Sequence, residues 1–246
     1  MNYHKQSMKE TLSTFAFNGR RFTFCIEREC DAIQKCLLNG NFFEHEELLQ
    51  QARHIPEKPV ILDIGANVGN HTIFYAKCIP HSHVIPFECH PEALRLLRRN
   101  ISLNECLNVD TNFLGLACSD QVGTAKMVRG GPNNLGHSRL VEGRTETTVP
   151  TKKPLTPISV ETLKCDDCLA AIKTIPTFIK IDVEGHEMKV LAGLERTITE
   201  HRPILFVEVS LDREVDFAEW VRRTRYAVCY RDKRYAKASN YLVKAL

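Results

Sequence analysis

The 246-residue sequence lacks the features that hold a chain in a membrane or send it across one. No stretch reaches the roughly 18 consecutive apolar residues of a membrane span. The opening residues, MNYHKQSMKETLSTFAF, contain no apolar core of the secretory kind. A cytoplasmic location without a membrane span is therefore expected. An excess of one charge is also missing. Lys and Arg total 33 against 30 Asp and Glu, a formal net charge of +3, with no long basic run. No basic stripe with interleaved aromatics is present, so a nucleic-acid partner is not expected. Cysteine is plentiful, at 10, but unpatterned. Cys165 and Cys168 form an isolated C-x-x-C, with no second pair or His pair at zinc spacing. Reduced thiols, and no metal, are the expectation.

What remains is an ordinary globular composition, 43% hydrophobic and 26% charged. The length suits one α/β domain with a sizeable core. Residues 1–40 read as an N-terminal extension packing on that core, with a short strand over 21–26. A helix is expected over 44–54. From residue 58 short apolar runs alternate with amphipathic stretches, as in a parallel sheet wrapped by helices. The runs are 60–64, 84–88, 112–118, 178–182 and 204–208. Pro91 opens one helix, with Leu94, Leu97 and Ile101 inward. Another is expected over 184–199. Residues 41–246 form the main domain. Within it 119–177 is an insertion, where the Gly- and Asn-rich segment 129–138 is the candidate substrate loop.

The chemistry starts where the first of these runs ends, in Asp63-Ile64-Gly65-Ala66-Asn67-Val68-Gly69-Asn70. Glycines there permit a tight strand-to-helix turn and a close backbone–ligand approach. A dinucleotide fingerprint would need Gly at 65, 67 and 70, and two of those positions are Asn. The acid before the turn suits a ligand that carries an ammonium group. Glu88, ending the second run, can accept both hydroxyls of a ribose. Ser119 and Asp120, after the third, are placed to meet an adenine amino group or simply to make a turn. Together with Asn67, Gly69, Asn70 and Thr72 these residues are the expected cofactor set, and S-adenosylmethionine is the expected cofactor.

The segments DIGANVGNHT (63–72), Phe87-Glu88, Cys118-Ser119-Asp120, VETL (160–163) and IKIDVEGHE (179–187) resemble the FkbM family of methyltransferases over roughly residues 40–210. One departure is Cys89-His90-Pro91, where the family more often has proline directly after the acid. The resemblance implies a class I methyltransferase fold, a mostly parallel seven-stranded Rossmann-like sheet with an antiparallel last strand. It implies methylation of a hydroxyl oxygen by S-adenosylmethionine, on macrolides or on sugars such as the deoxyhexoses of glycolipids and lipo-oligosaccharides.

Read physically, Lys180 and Asp182 share one face of their strand, and a lysine there must be paired or snorkel. Asp63, Glu88, Asp182 and Glu208 should ring one crevice at the carboxyl edge of the sheet. Asp182 is the first candidate for base or hydroxyl acceptor, His186 the second, and Glu208 completes the catalytic set. Asp182, Glu184 and Glu208 carry oxygens that suit Mg²⁺, but nothing in their spacing requires it. Two other readings are a methyltransferase of RNA or protein and a catalytically silent scaffold on the same fold. No Asn/Asp-Pro-Pro-aromatic tetrad of base-nitrogen methylation is present.

Overall fold

The structure is a computed structural model that describes residues 10–129, 135–141, 157–233 and 235–246. The chain opens with an antiparallel hairpin, β1 (Thr11–Phe17) and β2 (Arg20–Ile26). Its turn is Asn18-Gly19, both at positive φ, the hairpin-forming combination. Helices α1 (Ala32–Leu38) and α2 (His45–Ala52) follow. Two βα units come next: β3 (Val60–Ile64) with α3 (Asn70–Cys78), and β4 (His83–Phe87) with α4 (Pro91–Leu103). Then come β5 (Leu116–Ser119), β6 (Gly123–Val128), β7 (Arg139–Val141), β8 (Ile158–Lys164) and α5 (Cys165–Ala171). The last third contains β9 (Phe178–Ile181), α6 (Glu187–Gly193), α7 (Glu195–His201), β10 (Ile204–Ser210), α8 (Glu214–Arg223), β11 (Tyr226–Asp232) and β12 (Ala238–Ala245).

The central sheet has the order β11-β12-β10-β9-β3-β4. Strands β4, β3, β9 and β10 run parallel, and β12 is antiparallel to both β10 and β11. Helices cover both faces, so Ile61, Leu62, Ile179, Ile181, Leu205 and Val207 are completely buried. This double burial explains why those strands read as continuous apolar runs. Each such side chain contributes roughly 1.5–3 kcal/mol on leaving water.

The expectations for the sheet and for one helix need correction. The sheet has six strands rather than seven, because β5 joins a separate sheet of order β5-β8-β6-β7. The place beside β4 is taken by a single parallel bridge, Val84 to Val109. Phe113 then stacks on Phe87 at 5.4 Å, and Gly115, at φ 105°, turns the chain away, so the expected strand 112–118 shortens to 116–119. The helix expected over 184–199 is two helices meeting at Leu194. Gly193 ends the first of them, and a Cβ there would stand 2.0 Å from the Ser119 carbonyl, so its absence lets β5 approach. Glu184 does not open that helix. It lies at φ 51° in the preceding turn, and His186 is the residue capping the helix start. Finally, 119–177 carries β6, β7, β8 and α5. Of the proposed substrate loop, 130–134 lies outside the described residues.

Hairpin residues share a buried cluster with the central sheet and its helices. Phe15, Phe17, Phe22 and Phe24 meet Phe42 in edge contacts of 4.9–6.0 Å between ring centres. Asn100 on α4 receives the Cys25 N–H at 2.8 Å and donates to the Val68 carbonyl at 2.7 Å. One amide thus ties the hairpin to the turn after β3. The same packing delivers Phe43 and Glu44 to the carboxyl edge of the sheet.

Candidate active site

The site is built on two neighbouring parallel strands. Asp63 on β3 and Lys180 on β9 are register partners, so their side chains leave the sheet on one face. Both are buried. The Lys180 ammonium donates to the Gly65 carbonyl at 2.8 Å and lies 3.4 Å from Asp63 and 3.3 Å from Asp182. Burial opposes its charge, but the carboxylates of Asp182 and Asp63 outweigh this and hold its pKa above that of a free lysine. The second oxygen of Asp63 accepts from the Thr72 hydroxyl at 2.5 Å. The lysine that the sequence required to be paired is therefore paired three ways.

The turn after β3 is held by backbone hydrogen bonds. Gly65 and Ala66 N–H both donate to the Phe87 carbonyl at 3.0 Å. Gly65 sits at φ 82°, and a Cβ there would fall 1.8 Å from the Asp182 carbonyl oxygen. Gly69, at φ 94°, leaves room for Leu97. Asn67 adopts φ 49°, and its N–H donates to Glu88 Oε2 at 2.8 Å, while His90 N–H donates to Oε1 at 2.6 Å. Burial raises the Glu88 pKa, and the N–H donors of His90 and Asn67 act against that rise. Asn70 clamps the segment before α2 to the turn. Its side-chain oxygen accepts from Phe43 N–H and its nitrogen donates to the Phe43 carbonyl, both at 2.9 Å.

On the other side of Lys180 the acids crowd. Glu208 has its pKa pushed up to about 10 by burial and by the charges of Asp182, Glu44 and Glu184. Glu184 is pushed up to about 8 by burial and by Asp182, and Glu187 to about 7 chiefly by burial. Asp63, Asp182 and Glu208 therefore share one electrostatic site through Lys180, and the turn that binds Glu88 adjoins it.

His186 lies against the end of β5. Its Nε2 lies 2.9 Å from the Ser119 hydroxyl, which donates to Asp120 at 3.0 Å. The structure brings Ser119, Asp120 and His186 together, with burial lowering the histidine pKa and Asp120 raising it. A cleft of about 420 Å³ lies beside Ser119 and His186, with Lys126 and Lys189 on its wall. Sequence reasoning missed Glu44 and His71, whose side chains meet at 3.7 Å. His71 lies inside the quoted motif, but nothing local marks Glu44. Only the tertiary clamp between Asn70 and Phe43 puts it there.

A parallel sheet with a glycine turn after the first strand and an acid after the second defines a class of α/β proteins that bind an adenosyl group at the carboxyl edge. A profile of the methyltransferase FkbM domain matches residues 63–231, and the chain belongs to that family. The 2-O-methyltransferase NoeI of Sinorhizobium fredii is 31% identical over 171 residues, covering 64% of this chain and 65% of that protein. The hexuronic acid methyltransferase AglP of Haloferax volcanii is 26% identical over 170 residues, covering 69% of this chain and 61% of that one. The chain spans about 60% of the length of the curated relatives it matches. Among solved structures, Trm5b from Pyrococcus abyssi aligns over 98% of this chain and 57% of its own, with a TM-score of 0.51 and 15% identity, a likeness of fold alone.

The family cofactor is S-adenosylmethionine, and the residues fit it. The side-chain oxygen of Asn67, in the turn, is buried and has no hydrogen-bond partner. Each Glu88 oxygen accepts one backbone N–H and keeps a lone pair for a ribose hydroxyl. Asp63 and Asp182, beside Lys180, would be the acids nearest the turn for a ligand that carries positive charge. Among the described residues no group of His, Cys, Asp and Glu is arranged to hold a metal ion, and no helix is long and apolar enough to cross a membrane.

Proposed function

We propose that the protein transfers a methyl group from S-adenosylmethionine to a hydroxyl oxygen of a sugar. The observation that carries this reading is Lys180. One buried ammonium holds the Gly65 carbonyl of the donor turn and the Asp182 carboxylate of the reaction edge. The cofactor, when bound, supplies an electrophilic methyl group on a sulfonium. Glu88 takes the ribose hydroxyls, and Gly65, Asn67 and Gly69 shape the turn beneath the donor. Ser119 and Asp120 stand where the adenine edge would lie, and His186 orients them instead of serving as the base.

An alcohol is a poor nucleophile until its proton is accepted. Asp182 takes that proton as the C–O bond forms and the S–C bond breaks, which leaves the methyl ether and S-adenosylhomocysteine. The Lys180 ammonium stands 3.3 Å from Asp182, whereas burial and the charges of neighbouring acids push Glu208 up to about 10, so that it can donate to the hydroxyl. Acids in such different surroundings suit opposite roles. A positioned base contributes about 10²–10⁴-fold.

A sugar acceptor is favoured by the name of one relative, a hexuronic acid methyltransferase, and a hydroxyl oxygen by that of another, a 2-O-methyltransferase. The test is the Asp182→Asn variant. It is expected to bind S-adenosylhomocysteine as the wild type does and to lose at least 100-fold in turnover. Unchanged turnover would remove Asp182 from the chemistry.

A further inference from the structure

The cleft beside Ser119 and His186 is used neither by the donor turn nor by the reaction edge. It holds about 420 Å³, within the roughly 300–1,000 Å³ of small-molecule sites. Its walls come from the sheet β5-β8-β6-β7 and from α6. Gly65, Asn67, Glu88, Asp182 and Glu208 are not among the residues that line it.

The chemistry of its wall is one-sided. Lys126 and Lys189 bring two ammonium groups, while Gln121, Thr124 and Ser159 bring an amide and two hydroxyls. Among the described residues no Asp or Glu lines the cleft, and Glu161, on the same strand as Ser159, stays outside it. Lys126 on β6 and Ser159 on β8 are register partners, so their side chains leave the sheet on one face, and Thr124 shares that face two residues away. Lys189 comes from α6. Its ammonium stands 3.9 Å from Asp120, whose carboxylate accepts the Ser119 hydroxyl at 3.0 Å. An ammonium carries three N–H donors, so holding Asp120 and holding a ligand are compatible. Ser119 and His186 are joined to each other at 2.9 Å, which leaves recognition to the lysines and to the polar groups of β6 and β8.

Two ammonium groups and no lining carboxylate favour an anion. A phosphate monoester brings about −1.5 to −2 charge near neutral pH and three strong acceptor oxygens. The amide and the hydroxyls both donate and accept, which matches the hydroxyls of a polyol. A bare phosphate would engage the lysines alone, and a neutral sugar would leave them without an anion.

We propose that this cleft is a second ligand site, for a phosphorylated polyol such as a sugar phosphate. The phosphate is held by Lys126 and Lys189, and the hydroxyl-bearing part lies against Gln121, Thr124 and Ser159. The site stands apart from the donor turn, so this assignment does not depend on the methyl-transfer reading.

The full chain is titrated by calorimetry with α-D-glucose 1-phosphate, D-ribose 5-phosphate and sn-glycerol 3-phosphate. Inorganic phosphate and methyl α-D-glucopyranoside are the controls. At least one ester is expected to bind at one site, tenfold or more tighter than either control. Lys126→Ala and Lys189→Ala are each expected to weaken that ester tenfold or more, and Lys126→Arg less than threefold. Lys126 is exposed, so its variants should fold. S-adenosylhomocysteine should not displace the ester. No binding of any ester, or inorganic phosphate binding as tightly, would overturn the assignment. Unchanged affinity in either alanine variant would do the same. Displacement by S-adenosylhomocysteine would make the cleft part of the donor site, and an RNA oligonucleotide that binds tighter than every ester would make it a nucleic-acid contact; either result would also overturn it.

Discussion

The two halves of the crevice are finished differently. On the donor side each oxygen of Glu88 accepts a backbone N–H, Asp63 is held by Thr72 and Lys180, and the Gly65–Gly69 turn is closed by main-chain hydrogen bonds. On the acceptor side the buried Nε2 of His71 has no hydrogen-bond partner among the described residues, with Glu44 3.7 Å away, and neighbouring acids raise one another's pKa. Buried polar groups are normally satisfied, because leaving one unpaired costs about 1–3 kcal/mol. The donor side is held mainly by its own hydrogen bonds, although Asp63 Oδ1 and Asn67 Oδ1 are left without one. The acceptor side is held less by hydrogen bonds and more by charge.

The largest expected effect tests how tightly the donor side is held. Gly65→Ala sets a Cβ into the Asp182 carbonyl, where no side-chain rotation relieves the clash. Cofactor affinity should fall by 100-fold or more, or the protein should fail to fold. Gly19→Ala is the control, with a similar positive φ but nothing within 4 Å, and should cost only about 1–2 kcal/mol. Equal effects in denaturant melts would show that the turn is not tightly packed.

Next comes the link between the halves. Lys180→Met leaves Asp63 buried beside no cation. Removing one partner of a buried pair costs about 3–5 kcal/mol, and turnover should fall further than product affinity. A variant as stable and as active as wild type would separate the two halves.

The smallest effect is the pH dependence of the unliganded protein. Glu184 and Glu208 have folded pKa values of about 8 and about 10, above their unfolded values. Between pH 7 and 9 the unfolded chain has already released these protons while the folded chain still holds some. Stability should therefore fall as pH rises through that window. His71 works in the opposite sense, because burial and Lys180 depress its pKa, but its contribution is lost only as pH falls below about 6.5. Thermal melts should drop by a few degrees from pH 7 to 9, and Glu208→Gln should flatten the trend. A rising or flat wild-type profile would contradict the crowding of the acids.

The same contrast governs what the sequence made legible. The donor side is local: Asp63 through Thr72 lie in one turn and one helix start, and Glu88 ends the adjacent strand. Period and motif therefore placed them. Lys180 was legible as a problem, since an unpaired lysine cannot occupy that strand. The clamp between Asn70 and Phe43 was not legible, because the two lie 27 residues apart in the chain. The departure of β5 depends on Gly115 and the Phe113–Phe87 stack, and the break at Leu194 on the close approach of Gly193 to Ser119. Glu44 reaches the site through the clamp between Asn70 and Phe43. None of these has a local signature.

The most direct test of the central claim is a calorimetric titration of the wild type and Glu88→Ala with S-adenosylhomocysteine, with NAD as the control ligand. The wild type should bind S-adenosylhomocysteine at one site and not bind NAD. Glu88→Ala should weaken binding about 10- to 100-fold, the loss of one or two hydrogen bonds to a charged acceptor. No heat with S-adenosylhomocysteine, or equal affinity in the variant, would contradict the assignment of this crevice to the methyl donor.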